Sequence, residues 1–331
     1  MERPALDILR EHAQHSSVAL ALNRDTEHFR TPGVDGIIAF RRAGRRHAVQ
    51  IGSVYAAAED RKHLLYAFHE WAGRERRKLC AVQLTANDLE LYGSFGYRLS
   101  QLGTAFSIRL DTFTLAGRRF EKVRNKLARS RRAGLSTVEA GRDVPYDDRL
   151  AAALDGIERR WLAAKGKHVK KLEFMVGERD APGAGVRRLF LAMSGDEPIA
   201  YVSYSPVFGD RAGWLYDITR RLPEAPPGAV DLILVEAARR FQREGVGWLH
   251  LGLTPFCGLS PGWRPEVGEH RGVGRLVRLI AEHGDWIYPA RSQAEYKEKW
   301  QPTDRHPEYV GFYPSVSLGT VWRLLRLTRA I

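Results

Sequence analysis

The order of strand-like and helix-like segments constrains this chain more than any single motif does. Gly36–Phe40 and His47–Gly52 are apolar runs that predict two strands joined by the turn Arg42–Arg46. Glu59–Arg76 then carries Leu64, Leu65, Phe68 and Trp71 on one side at helical spacing. Leu79–Leu84 predicts a buried strand, Asn87–Phe95 a short helix ending at Gly96, and Ala105–Leu110 a closing strand. After a basic helix over Gly117–Ala133, stopped by Gly134, the alternation resumes. A helix at Tyr146–Ala164 precedes strands at Val186–Met193, Pro198–Pro206 and Ala212–Ile218, a helix at Val230–Glu244 and a strand at Trp248–Leu253. No repeat of short fixed period is visible. The pattern predicts the α/β class, as two similar halves joined by the basic helix.

A chain of 331 residues can bury about three quarters of its unfolded surface, so a sizeable core is expected. Met1–Glu11 is charged from its second residue and lacks the apolar stretch of a signal peptide. The longest apolar runs, Ser17–Leu22 and Ala229–Ala238, fall well short of the roughly 20 residues of a membrane span. Cys80 and Cys257 have neither metal-ligand nor redox spacing. A cytoplasmic protein without a metal is the expectation. The 52 Lys and Arg against 39 Asp and Glu give +13, which suits a polyanionic partner, nucleic acid or an anionic membrane surface. Arginine-rich codon usage would give the same excess.

Four segments carry candidate chemistry. The basic helix holds eight cations from Arg118 to Arg132 against one acid, Glu121. Lys122, Lys126 and Arg129 share one face and offer a stripe for phosphates, flanked by Arg124, Arg131 and Arg132, while Phe120, Val123 and Leu127 supply an inward face. A solvated amphipathic helix has the same pattern. In the second segment, an apolar strand ends in Asp217, with Arg220 three residues on and Pro226-Pro227-Gly228 leading to a helix amino end. Acid, base and backbone donors come together there, although an Asp–Arg pair closing a strand would look alike. The third is Leu251-Gly252-Leu253-Thr254-Pro255, where glycine permits close backbone approach. The fourth is Glu295-Tyr296-Lys297-Glu298-Lys299-Trp300, a compact cluster of charge and aromatics.

Taken in order, these segments resemble the carboxy-terminal catalytic domain of the lysylphosphatidylglycerol synthases, the aminoacyl-tRNA-dependent aminoacylphosphatidylglycerol synthases. The resemblance runs from Gly33–Phe40 to Tyr313-Pro314-Ser315 and is strongest at Phe120–Lys126, Asp217–Arg221, Pro226–Gly228, Leu251–Pro255 and Tyr296–Trp300. It implies tandem acetyltransferase-like (GNAT) folds: residues 1–116, the connecting helix 117–134, and a catalytic fold over 135–331. It also implies a tunnel with the tRNA acceptor end entering from one side and the acceptor from the other. Asp217 and Arg220 match the family's strand-end motif, and Lys297, Glu298 and Lys299 its charged cluster. Thr254 and Tyr296 are then candidates for the acceptor pocket. The basic helix, with Lys122, Arg124, Lys126, Arg129, Arg131 and Arg132, is assigned to tRNA.

His270–Leu276 looks like the pyrophosphate loop of acetyltransferases, but Ser260–Pro265 separates it from the preceding strand and Glu269 stands where Gln or Arg is usual. No cofactor is therefore expected beyond aminoacyl-tRNA as co-substrate. That ester is already activated, and with no Gly-x-Ser-x-Gly elbow the expectation is direct attack by the acceptor. Asp217 would orient or deprotonate the attacking group, and Arg220, Lys297 or Lys299 would stabilise the oxyanion or hold a tRNA phosphate.

Lipid-modifying relatives usually carry a multispan region ahead of this domain, and the given sequence has none. That favours a small amine or hydroxylamine acceptor, as in serine-transferring relatives of antibiotic pathways. Phosphatidylglycerol is the alternative acceptor, and a non-catalytic tRNA-binding module the second alternative. Val316–Ile331, with Trp322 and leucines among arginines, suits either packing onto the domain or a peripheral contact with the inner membrane.

Overall fold

The computed structural model describes residues 3–164, 177–179, 184–270, 272, 274–275, 277–279, 290–316 and 318–327. Helix α1 (Ala5–His12) and a 3₁₀ turn (Val18–Leu22) precede β1 (Glu27–Phe29), β2 (Ile38–Arg42), β3 (His47–Ile51), α2 (Arg61–Arg74), β4 (Lys78–Leu84), α3 (Leu89–Ser94) and β5 (Arg98–Arg109). Helix α4 (Glu121–Arg132) leads to β6 (Leu135–Glu139), α5 (Asp148–Ala164), β7 (Arg188–Ser194), β8 (Glu197–Val207), β9 (Gly213–Arg221), α6 (Ala229–Arg243) and β10 (Trp248–Pro255). The carboxyl end adds α7 (Ala290–Glu298), β11 (Asp304–Tyr313) and α8 (Leu318–Leu327).

Among the described residues all eleven strands join one sheet, in the order β1-β2-β3-β4-β11-β5-β10-β9-β8-β7-β6. Each half repeats one arrangement. The parallel pairs are β3 with β4 around α2, and β9 with β10 around α6; the remaining ladders are antiparallel. A parallel pair needs a crossover, and α2 and α6 supply it by burying one face each against the sheet. Leu64, Leu65, Phe68 and Ala72 of α2 are buried, and Phe68 stacks on Trp71. Helix α6 is buried from Ala229 to Phe241 on most of its positions, packed with α4 and the second half of the sheet.

The expected helices and strands are present with shifted ends, and three differences stand out. Strand β5 runs over twelve residues rather than six, because Ser100, Gln101, Thr104 and Ser107 are polar yet buried between β11 and β10. The carboxyl-terminal β11, not anticipated as a strand, inserts between β4 and β5, so residues 304–313 complete the sheet of the first half. Its Pro307 sits beside a register shift at Glu308/Tyr309, where a missing N–H is tolerated. Strand β10 runs past its expected end at Leu253 to Pro255 and bulges between His250 and Gly252, with Gly252 at φ +75°.

Helix α4 matches its expectation: Phe120, Val123 and Leu127 are buried, its cations point outward, and Gly134 at φ +77° follows its end. Helix α8 lies on the face of β3 and β4 through Val321, Leu324 and Leu327, while Trp322 remains 54% exposed. No helix among the described residues is long and apolar enough to cross a membrane.

Candidate active site

The parallel pairing of β9 with β10 lasts only from Gly213/Trp248 to Leu215/His250. Beyond it the strands part, β9 staying with β8 and β10 with β5, which leaves an opening between their carboxyl ends. Open α/β sheets bind ligands where adjacent strand ends diverge. Helix α7 straddles that opening. Its Tyr296 hydroxyl lies 3.1 Å from the Tyr216 hydroxyl of β9, and the Nζ of its Lys297 donates to the Gly252 and Leu253 carbonyls of β10, both at 2.9 Å. Those carbonyls follow the bulge, on the stretch of β10 that has lost β9 as a partner.

Lys297 is buried, 7% exposed, with its Nζ 5.8 Å above the Phe106 ring. Burial pushes its ammonium down to about 7, against the opposing pull of the Glu308 carboxylate. Two N–H donors satisfy the two carbonyls, so the neutral amine keeps its lone pair free for a proton. Few lysines are placed to act as a base near neutrality, and this one sits at the strand opening.

Asp217 lies on the other side of the opening. Two residues of β9, Asp217 and Ile218, oppose the single Ser203 of β8, a bulge that turns both toward α5. The Ser205 hydroxyl and the Gly177 amide donate to the Asp217 carboxylate at 2.6 and 2.8 Å. A side chain at position 177 would collide with it, since an added Cβ would lie 2.0 Å from Oδ2. Arg187, which sequence reasoning passed over as part of a strand, donates from Nε to Ser205 Oγ at 3.1 Å and completes an Arg187–Ser205–Asp217 chain. Only the bulge in β9 and the β7–β8 pairing bring it there, so no local pattern marked it.

The other candidates divide. Arg220 is held by α5, with Nε 3.4 Å from Glu158 and its guanidinium 4.3 Å above the Trp161 ring. Lys299 Nζ donates to Asp231 Oδ1 at 2.7 Å, over the Tyr296 and Trp300 rings, and burial lowers its ammonium. Lys126 of α4 reaches the same Asp231 at 3.9 Å, so the basic helix and the α7 cluster meet at the first turn of α6. Glu298 is not brought to this group: it is half-buried and pairs with Arg305. Thr254 is fully buried, and its Oγ1 has no partner among the described residues.

On α4, Arg124 donates to the Leu115 and Gly117 carbonyls, Arg131 pairs with Glu236, and Arg132 bonds back to Ala128. Lys122 and Arg129 are exposed. The usable stripe is therefore Lys122, Lys126 and Arg129, with the other three cations engaged within the fold. Part of the acetyltransferase-like loop, at Arg271, Val273 and Leu276, lies outside the described residues. In the second half, the helix amino end that follows a strand of the parallel pair is that of α6. There an added Cβ on Gly228 would lie 2.7 Å from Ser130 Oγ, so α4 already occupies that approach.

Comparison with known proteins fits this architecture. The lysylphosphatidylglycerol biosynthesis bifunctional protein LysX of Mycolicibacterium vanbaalenii is 24% identical over 311 residues, covering 87% of this chain and 27% of its own length. The phosphatidylglycerol lysyltransferase of Bacillus subtilis is 23% identical over 303 residues, covering 88% of this chain and 33% of its own. The chain thus spans about a quarter to a third of these relatives. The solved structure of L-PGS from Bacillus licheniformis superposes with a TM-score of 0.79 at 20% identity, over 99% of this chain and 97% of that one. The model of the family described as phosphatidylglycerol lysyltransferase, C-terminal, matches residues 6–312, nearly the whole chain, and the protein belongs to that family.

Proposed function

We propose that this chain transfers an amino acid from the ester of an aminoacyl-tRNA to a hydroxyl of phosphatidylglycerol. The observation that carries the reading is Lys297, a buried amine titrating near 7 at the strand opening that α7 closes. The named activities of the relatives support phosphatidylglycerol over the small amine or hydroxylamine favoured by sequence reasoning, and lysine is the first amino acid to test. The exposed Trp322, Arg323 and Arg326 of α8 are compatible with a lipid surface nearby.

In the proposed step, the acceptor oxygen attacks the ester carbonyl, and its proton passes to the Lys297 amine. The carbonyl–ribose bond then breaks, and Lys297 returns the proton to the departing ribose oxygen. Asp217, fixed by Ser205 and Gly177, orients the reacting groups. Its replacement by Asn keeps the shape and removes the charge from two hydrogen bonds. Each charge-assisted bond is worth about 1.5–3 kcal/mol, so Asp217→Asn is expected to lower kcat/KM by roughly 10- to 100-fold. Full activity in steady-state kinetics would remove Asp217 from the site.

Phosphates of the tRNA would lie along Lys122, Lys126 and Arg129. Replacing all three with Gln should reduce the slope of log affinity against log salt by about 0.7–0.9 per lost contact. An unchanged slope in filter binding would make α4 a solvated helix only.

The reading is tested by incubating the protein with labelled lysyl-, alanyl- and seryl-tRNA, with phosphatidylglycerol vesicles in one arm and a lipid-free panel of amines and hydroxylamines in the other. Label is expected in lipid alone. Transfer in the lipid-free arm would replace the lipid acceptor by a small one, and no transfer in either arm would favour a tRNA-binding module.

A further inference from the structure

We propose that the sheet face opposite α2 docks on an anionic bilayer, through the outer side of α8 and the turn between β2 and β3. The occupant is the charged membrane surface and not a headgroup held in the site, so the inference goes beyond the acylation reading and does not depend on it.

Side chains alternate along β3 and β4. Ala48, Leu79 and Ala81 face α2, while Val49, Cys80 and Val82 face the other way, where Val321, Leu324 and Leu327 of α8 cover them. With that stripe turned inward, the outer side of α8 presents Trp322, Arg323 and Arg326, whose spacings of three and four place them in one exposed row. The Arg323 guanidinium lies over the β2–β3 turn, since an added Cβ on Gly44 would lie 3.4 Å from its central carbon. The next two residues of that turn, Arg45 and Arg46, are exposed. The acids that reach the turn, Glu27 and Glu75, are taken up by Arg42 and Arg77. The positive field extends to His47, whose proton affinity is lowered by burial first and then by the charges of Lys78 and Arg323.

A second part of the chain reaches the same face. Val277 is buried in the apolar cluster beneath α8, yet Leu279, two residues on, is 58% exposed, and Arg275 and Arg278 are exposed beside it. Apolar tips set among arginines on one side of a domain match a bilayer interface. Leucine enters the acyl boundary, the indole of Trp322 sits at headgroup level and the guanidiniums meet lipid phosphates. The basic stripe of α4 differs in this respect: its exposed positions hold charged residues, Asn125 and Ala128, with no large apolar side chain, which suits a nucleic-acid backbone. The cluster beneath α8 also takes in Leu253 and Phe256 at the end of β10, and the Leu253 carbonyl is one of the two that hold Lys297. The docking face is thus continuous with the β10 side of the strand opening.

The test sediments the protein with vesicles of phosphatidylcholine alone, and of phosphatidylcholine mixed with phosphatidylserine or with phosphatidylglycerol. Phosphatidylserine supplies the charge without the glycerol headgroup. Wild-type protein is expected to pellet with both anionic mixtures and to stay in solution with phosphatidylcholine. One basic residue near an anionic surface is worth a factor of about five, so Arg45→Gln, Arg46→Gln, Arg323→Gln and Arg326→Gln combined should lower the partition coefficient by about 10²- to 10³-fold. Leu279→Ser with Trp322→Ser should lower it by about 10- to 100-fold. All six positions are exposed, so the urea midpoint is expected to stay near that of wild type. Wild-type protein that stays in solution with both anionic mixtures would overturn the proposal. So would a Gln variant that pellets as wild type does, and if that variant lost tRNA in filter binding the patch would be an RNA surface instead. Pelleting with phosphatidylserine, with no amino acid transferred to phosphatidylglycerol, would leave the docking face standing and remove the acylation reading.

Discussion

Replacing Lys297 with Met is expected to lower kcat by about 10² to 10⁴-fold, the usual worth of a positioned proton carrier, with aminoacyl-tRNA affinity little changed. Methionine fills a similar volume in the apolar surroundings of Phe106 but offers the Gly252 and Leu253 carbonyls no donor and the reaction no base. The wild-type rate should rise as pH increases through about 7, where Lys297 becomes the neutral amine, and this limb should be absent from the variant. Stability gives a second readout with a fixed sign. The folded amine titrates near 7 and the unfolded one near 10.5, so between these values the unfolded chain binds more protons. Wild-type stability therefore gains from this group as pH rises across that window, and Lys297→Met loses the gain. A variant that retains more than a tenth of wild-type turnover would take proton transfer away from Lys297.

Arg188→Ala is expected to destabilise the fold by about 3–5 kcal/mol, read as a shift of the urea midpoint. Arg188 Nε and a terminal nitrogen donate to the two oxygens of Glu139 at 2.7 Å each, and the same guanidinium reaches Glu244. Arg240 and Arg142 extend the network to Asp143 and Glu244, which ties β6 and β7 to α6. Glu139 is 2% exposed, so removing Arg188 leaves a buried charge with Arg240 as its remaining close partner within the fold apart from the more distant, exposed Arg142. The Arg188 guanidinium also covers the rings of Phe190, Trp214 and Phe241. Deleting both charges is gentler than deleting one: Arg188→Met with Glu139→Leu should recover most of the loss, because no unpaired ion remains. A single variant as stable as wild type would mean that Glu139 is solvated after all.

Much of the architecture was written in local patterns. The periodicity of Leu64, Leu65 and Phe68, or of Val123 and Leu127, follows from an amphipathic helix needing one apolar stripe, so α2 and α4 were legible. Strand β11 was not, because its Asp304, Arg305, His306, Pro307 and Glu308 lack apolar alternation, and its place in the sheet comes from pairing with β5 along its length and with β4 from Tyr309 onward. At the site, the family resemblance singled out Asp217 and Lys297, but could not separate Lys297 from Glu298, which faces outward one residue later. Arg187 and Ser205 carried no signal at all.

The reason is the range over which each property is set. Helix and strand identity and the exposed basic stripe of α4 depend on neighbours within a few residues, and such neighbours are fixed by the order of the chain. The lowered proton affinity of Lys297 and the Arg187–Ser205–Asp217 chain depend on desolvation and on partners a dozen or more residues away. Those arise only when β9 and β10 part, α7 closes the gap and β11 returns to the middle of the sheet.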